Sequence, residues 1–211
     1  MPVVPELALP DPDQAAVMLA DVFGFVAEGG LMRLGNQRVA LVRGAAAGHG
    51  VIDHLALAVP DVDVAAAAML ARGAVVDPDA SPDGATEIAE FWQGGVRYLF
   101  LQGPAGARIE LIANLAAPFG PDHDHIGLPC VDIAVTAEFL TGLGAVPKAS
   151  HRLRHPDGVI EVRFLALQDT ILELYQPLQA HPVASPGKWR RLLVTGAAPA
   201  VGPEGLTIAP L

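Results

Sequence analysis

The chain has 211 residues, enough to bury a substantial core, as one domain or as several small modules. Hydrophobic residues make up 52%, yet no apolar run reaches the roughly 18 residues that a membrane span needs, and the N-terminus lacks a basic segment leading into an apolar one, so neither a span nor a signal peptide is expected. The formal charge of −10 argues against nucleic-acid binding, and the single Cys130 excludes an internal disulfide and fits a reducing, cytoplasmic setting, with the thiol itself read as a small inert group in a strand.

In chain order, residues 1–45 begin with Glu6-Leu7-Ala8-Leu9, continue through a helix over 13–23, and reach Arg38-Val39-Ala40-Leu41. Residues 50–115 show the same order in fuller form. A strand over 51–59 alternates and is rich in branched side chains. A helix over 61–72 has Asp61 at its start and Gly73 at its end. A Pro/Asp/Gly loop over 77–84 precedes strands at 87–93, 96–102 and 108–114, separated by glycine turns. Residues 121–178 repeat it, with a strand at 125–131, a helix at 133–143, and strands at 148–154, 159–167 and 170–176. From 179 to 211 the chain is rich in Pro, Gly and Ala. Edge strands are expected there at 189–195 and 206–208, one of which could supply a strand that the short first unit lacks.

The repeat is ungapped at its start. His54-Leu55-Ala56-Leu57-Ala58-Val59-Pro60-Asp61 aligns with His125-Ile126-Gly127-Leu128-Pro129-Cys130-Val131-Asp132, an offset of 71 (125 − 54). The same offset pairs Gly73 with Gly144. Each copy closes on a carboxylate inside an apolar strand, at Arg108-Ile109-Glu110-Leu111-Ile112 and Ile171-Leu172-Glu173-Leu174-Tyr175. A lone histidine in a strand is usually structural, and a Glu in Leu-Glu-Leu can simply face water. Four such residues in repeat register instead point to a metal site of His54, Glu110, His125 and Glu173. Two imidazoles and two carboxylates suit one six-coordinate divalent ion, Ni, Zn, Co, Mn or Fe, with two positions left open. His123 lies beside His125, but the offset selects His125. His49, His151, His155 and His181 are expected in loops, solvated. In the first unit the matching positions read as Glu6 and Ala40, a degenerate copy without a site.

This β-α-β-β-β pattern, carried by Ile-Asp-His-Leu-Ala-Leu-Ala-Val-Pro-Asp, Ala-Arg-Ile-Glu-Leu-Ile and Phe139-Leu140-Thr141-Gly142-Leu143-Gly144, resembles the vicinal oxygen chelate superfamily of glyoxalase I, bleomycin-resistance proteins and extradiol dioxygenases. The resemblance implies an α+β fold: tandem βαβββ modules forming a cupped mixed β-sheet, here with a degenerate N-terminal third module. It implies a metal-dependent lyase or isomerase of glyoxalase type, working on a small-molecule substrate with two vicinal oxygens through an enediolate-like intermediate. Glu173 or Glu110 would then serve as catalytic base. All four ligand positions are filled, as in glyoxalase-like members. An extradiol-type dioxygenase using iron at His54, His125 and Glu173 is the alternative, and a metal-free drug or metabolite binder of the bleomycin-resistance type is a second. Asn114 matches an asparagine that glyoxalase I sets against its thiol adduct. That enzyme's glutathione-contacting arginine, four residues after the first ligand, is here Ala58, which argues against glutathione. Arg97, Arg163, Trp92 and Tyr98 are further candidates for substrate contact, with Glu90 or Glu161 as partners for the arginines. If Glu110 points inward, alternation turns Arg108 and Ile112 inward too. A homodimer is compatible with such modules.

Overall fold

Each helix starts on an aspartate that accepts hydrogen bonds from backbone N–H groups of the first turn, where they have no helical partner. In the computed structural model, which describes residues 3–35, 37–45, 48–117, 123–178 and 187–211, these caps are Asp11 (from Gln14 N), Asp61 (from Val64 N) and Asp132 (from Ala134 N and Val135 N). Gly73 and Gly144 follow the second and third helices at φ of 96° and 94°, a conformation in which a Cβ would be strained.

The elements run β1 (Val4–Leu9), α1 (Pro12–Asp21), β2 (Val26–Glu28), β3 (Leu31–Leu34) and β4 (Gln37–Arg43). Then come β5 (His54–Ala58), α2 (Val62–Ala71), β6 (Val75–Val76), β7 (Thr86–Ile88), β8 (Val96–Gln102) and β9 (Arg108–Asn114). They are followed by β10 (His123–Pro129), α3 (Ile133–Gly142), β11 (Val146–His155), β12 (Gly158–Leu167) and β13 (Thr170–Gln176), and last by β14 (Trp189–Val194), β15 (Ala200–Val201) and β16 (Thr207–Pro210). The fold is α+β with mixed sheets.

Two sheets form. One has the order β11-β12-β13-β10-β5-β9-β8-β6, with β7 also on β8. Its centre is the antiparallel pair β5–β10, in which His54 lies opposite Gly127, and each central strand is flanked by a parallel partner, β9 or β13. The other sheet, β15-β16-β14-β1-β4-β3-β2, has the same plan: an antiparallel centre, β1–β14, with parallel β4 and β16 on either side. One large apolar core joins them, with Leu7 and Leu192 from one sheet and Leu55, Ile126 and Leu172 from the other. A smaller cluster, including Phe91, Ile112, Val162 and Phe164, lies on the opposite face of the first sheet.

Several expectations from the sequence are corrected here. The first 45 residues lack no strand, since β2, β3 and β4 all follow α1. The tail instead adds three strands, and β14 is interior, with Trp189 fully buried, because β1 would otherwise expose its ladder to solvent. The strand expected at 87–93 is only the short β7; the chain then turns, with Trp92 at φ 47°. The N-terminal alignment slips by two. Glu6 lies opposite Ala40 just as Ala56 lies opposite Glu110 and Gly127 opposite Glu173, and the helix cap, Asp11, lies two residues before the expected helix start. The positions matching the ligands are therefore Val4 and Ala40. Glu6 is buried and held by Arg190 (2.9 Å) and Arg191 (2.8 Å).

Candidate metal centre

Parallel pairing brings the last strand of each βαβββ run against its first, and the antiparallel centre then joins the two runs. Period-2 alternation sends Leu55, Leu57, Ile109 and Leu111 into the main core and leaves His54, Ala56, Glu110 and Ile112 on the other face. His125 and Glu173 reach the same point from β10 and β13. The two imidazole Nε2 atoms are 3.2 Å apart. Glu110 Oε2 is 3.3 Å from His54 Nε2 and 3.1 Å from His125 Nε2, while Glu173 Oε2 is 3.5 and 3.3 Å from the same atoms. All four side chains are buried, none above 10% exposed.

The four residues fit a divalent ion. Ligand atoms at right angles on an ion with bonds of about 2.1 Å lie about 3 Å apart, close to the spacing found here. Glu110 Oε2 is buried against the two imidazole Nε2 atoms, an arrangement that needs a proton or a cation between these groups. His54 Nδ1 faces Asp53 Oδ2 at 3.1 Å, which assigns the proton to Nδ1 and leaves the Nε2 lone pair for an ion. Among the described residues, His54, Glu110 and His125 group within 4.8 Å as potential ligands, with Glu173 beside them.

Electrostatics agree with a site built for positive charge. Burial pushes the Glu110 and Glu173 carboxyls up, but the two imidazoles outweigh it and hold both below the usual range, Glu173 at about 2. Burial pushes His54 down, but hydrogen bonds to Asp53, Glu110 and Glu173 prevail and raise it well above an ordinary histidine. Asp53 is in turn fastened by Arg108, whose Nη1 donates at 2.8 Å, and Arg108 Nε donates to Asp77 at 3.1 Å. Gly127 makes room for the His54 ring. A Cβ there would lie 2.0 to 2.4 Å from three of its atoms.

The cluster forms part of the lining of a cavity of about 260 Å³ that also includes Tyr98, Phe100, Arg108, Ile112 and Tyr175, with Ile88, Phe91, Leu153, Ile160 and Val162 as its apolar lining. Burial pushes both tyrosine phenols up, helped by nearby carboxylates, so they stay protonated donors. Arg108 and Ile112 thus face inward with Glu110, as alternation requires.

Other candidates lie elsewhere. Arg97 is on the opposite face of β8, in ion pairs with Asp63 (2.9 Å) and Glu87 (3.3 Å), not with Glu90 or Glu161. Arg163 lines a separate groove beside α3. Asn114 caps a turn, accepting from Ala116 N and Ala117 N. Trp92 stands behind Phe164 at 4.7 Å between ring centroids, outside the cavity lining. His151 is not a loop residue: it lies in β11 against Phe91 and Phe164. His155 is also in β11, and His49 is partly buried near Asp53. His181 and the side chain of His123 lie outside the described residues. Cys130 is buried, and burial pushes its thiol up to about 12, an inert group. Sequence reasoning missed Asp53, Gly127, Tyr175 and the apolar wall. Asp53 had a signal, standing next to His54; Gly127 had one only once the β5–β10 register is known.

No protein-family model matches the sequence, and no curated protein matches it. Solved structures do. A crystal structure of a glyoxalase I mutant from Zea mays is similar at 17% identity and a TM-score of 0.69, over 97% of this chain and 89% of that one. A second mutant of the same enzyme gives 16%, 0.68, 97% and 91%. A mutant of 4-hydroxymandelate synthase from Streptomyces coelicolor gives 15%, 0.51, 87% and 72%. At such identities the likeness is one of fold alone: the chain shares the architecture of those structures.

Proposed function

We propose that the protein is a divalent-metal-dependent lyase or isomerase of glyoxalase type, acting on a small molecule with two vicinal oxygens. The observation that carries this reading is the convergence of four buried ligand atoms, two imidazole nitrogens and two carboxylate oxygens, at an apolar cavity. An ion held by His54, Glu110, His125 and Glu173 would supply Lewis-acid polarisation of the paired oxygens. The chain's own groups do the rest. Glu173 or Glu110 takes a proton from the carbon beside the polarised oxygen and returns it to the neighbouring carbon, since both carboxylates line the cavity at the metal point. Asp53, fixed by Arg108, holds His54 in the ligating tautomer. Tyr98 and Tyr175 present neutral hydroxyl groups, and Ile88, Phe91 and Ile160 keep water away from the reacting carbons.

Glu110 Oε2 lies as near the two imidazoles (3.3 and 3.1 Å) as Glu173 Oε2 does (3.5 and 3.3 Å), which favours a four-ligand centre over the three-ligand set of a ring-cleaving dioxygenase. Elemental mass spectrometry of protein purified without chelator or nickel affinity resin tests the reading. One Ni, Zn, Co or Mn per chain, lost in His125→Ala, is the expected result. Iron together with oxygen uptake on catechols would move the assignment to a dioxygenase. The absence of metal from both proteins, even after incubation with these ions, would refute it.

A further inference from the structure

We propose that this cavity selects a small neutral substrate carrying a flat apolar group beside its vicinal oxygens, such as an aryl α-hydroxyketone or aryl α-hydroxyaldehyde, and discriminates against carboxylate- or phosphate-bearing substrates and charged thiol adducts. The inference rests on the metal-centre reading above and concerns what surrounds that centre.

Charge is the first argument. The chain has 13 Lys and Arg, all among the described residues, because the remaining stretches contain none. Of these, Arg108 alone lines the cavity, and it is paired with Asp53 and Asp77. Arg97 faces the other side of its sheet, and Arg152 and Arg163 line the groove beside α3. Three carboxylates, Asp53, Glu110 and Glu173, also line the cavity. A divalent ion would balance two of them and Arg108 the third, leaving no positive charge to receive an anionic substituent. Such a group would lose its hydration without gaining a partner. A glutathione adduct, with its two carboxylates, meets this obstacle directly.

Shape is the second argument. Ile88 and Phe91, from the chain around β7, join Leu153, Ile160 and Val162, from β11 and β12, in one apolar cluster that lines the cavity beside the metal point. Phe100 stands edge-on to His54 at 5.1 Å between centroids. At about 260 Å³ the space falls just below the roughly 300–1,000 Å³ of sites that take drug-sized ligands, which suits one ring and a chelating pair.

Hydroxamates present two vicinal oxygens to a metal and make the test independent of turnover. Zinc-loaded protein is titrated calorimetrically with acetohydroxamic, benzohydroxamic, 4-carboxybenzohydroxamic and 4-carbamoylbenzohydroxamic acids. The carboxamide matches the carboxylate in size, so their difference reports charge. Benzohydroxamate is expected to bind at least about tenfold more tightly than acetohydroxamate, through burial of its ring, and the carboxylate at least about tenfold more weakly than the carboxamide. If acetohydroxamate binds but the carboxylate equals the carboxamide, or the ring adds nothing, the inference is overturned and the metal centre stands. If none of the four binds, the metal-centre reading falls, and the inference with it.

Discussion

Gly127 has no side chain, yet it decides where the His54 ring can lie. A methyl group at that position would overlap the ring, at 2.0 Å from its nearest atom, and β10 cannot move away because both of its edges are paired. Gly127→Ala is expected to turn His54 out of the cluster and to weaken divalent-ion affinity by about 10- to 100-fold, measured by competition with a chromophoric chelator, with circular dichroism showing the sheets intact. Unchanged affinity would mean that His54 is not a ligand. The titrating groups make a second prediction. In metal-free protein, Glu110 and Glu173 have depressed carboxyl pKa values, so their contribution is present above about pH 4.5 and is lost as pH falls through the folded values. His54 is raised, so its contribution is full below about pH 6.5 and fades as pH rises through its folded value. Metal-free protein should therefore melt highest in the mildly acidic window between these limits. A divalent ion competes with the proton for the same nitrogen, so the Tm gain it brings should grow from about pH 5.5 to about pH 8. Melting curves with and without excess zinc check this; a gain that shrinks with rising pH would contradict it. At this scale the sequence showed much. His54, Glu110, His125 and Glu173 were legible from repeat register alone. Arg97 and Asn114 were not, because whether a polar side chain faces the cavity or its own neighbours depends on strand phase and on Asp63, which lies 34 positions from Arg97.

The helices were placed to within a residue or two by their aspartates and trailing glycines, since capping is local chemistry. Asp132 accepts from two backbone N–H groups at 2.9 and 3.1 Å. Asp132→Ala is expected to cost about 1 kcal/mol in urea unfolding with little effect on metal affinity, because α3 packs on β12 and β13 from the side opposite the cluster. A loss below about 0.3 kcal/mol would show that the cap contributes little. The strands were less legible where they are short. β7 and the turn after it hold Phe91 and Trp92, whose apolar character reads as a strand; the same residues here pack on Phe164 from a turn. The N-terminal copy slipped by two residues for a related reason. A shift of two leaves every side chain on its original face, so hydrophobic alternation cannot detect it. The Glu6–Ala40 register and the Asp11 cap do.

The described residues form two sheets of one plan sharing a core, and only one of them carries the proposed ligands. The C-terminal strands belong to the other. β14 lies between β1 and β16, Trp189 Nε1 donates to Arg108 O, and Lys188 Nζ donates to Gly106 O. Removing residues 187–211 would open that core beside the strand that carries Glu110. The shortened chain is expected to be recovered insoluble, or to bind anilinonaphthalene sulfonate and melt without cooperativity. A soluble, cooperatively melting fragment would show the second sheet to be dispensable. The sequence by itself determined the βαβββ unit, its repetition and the four ligand candidates, because periodicity, caps and turn glycines act over a few residues and repetition keeps them in register. The tertiary structure alone decided that the ligand-bearing units pair within one chain, that the tail joins the N-terminal strands, and which face each arginine occupies. Those outcomes depend on pairing between strands far apart in the chain, which local patterns leave open.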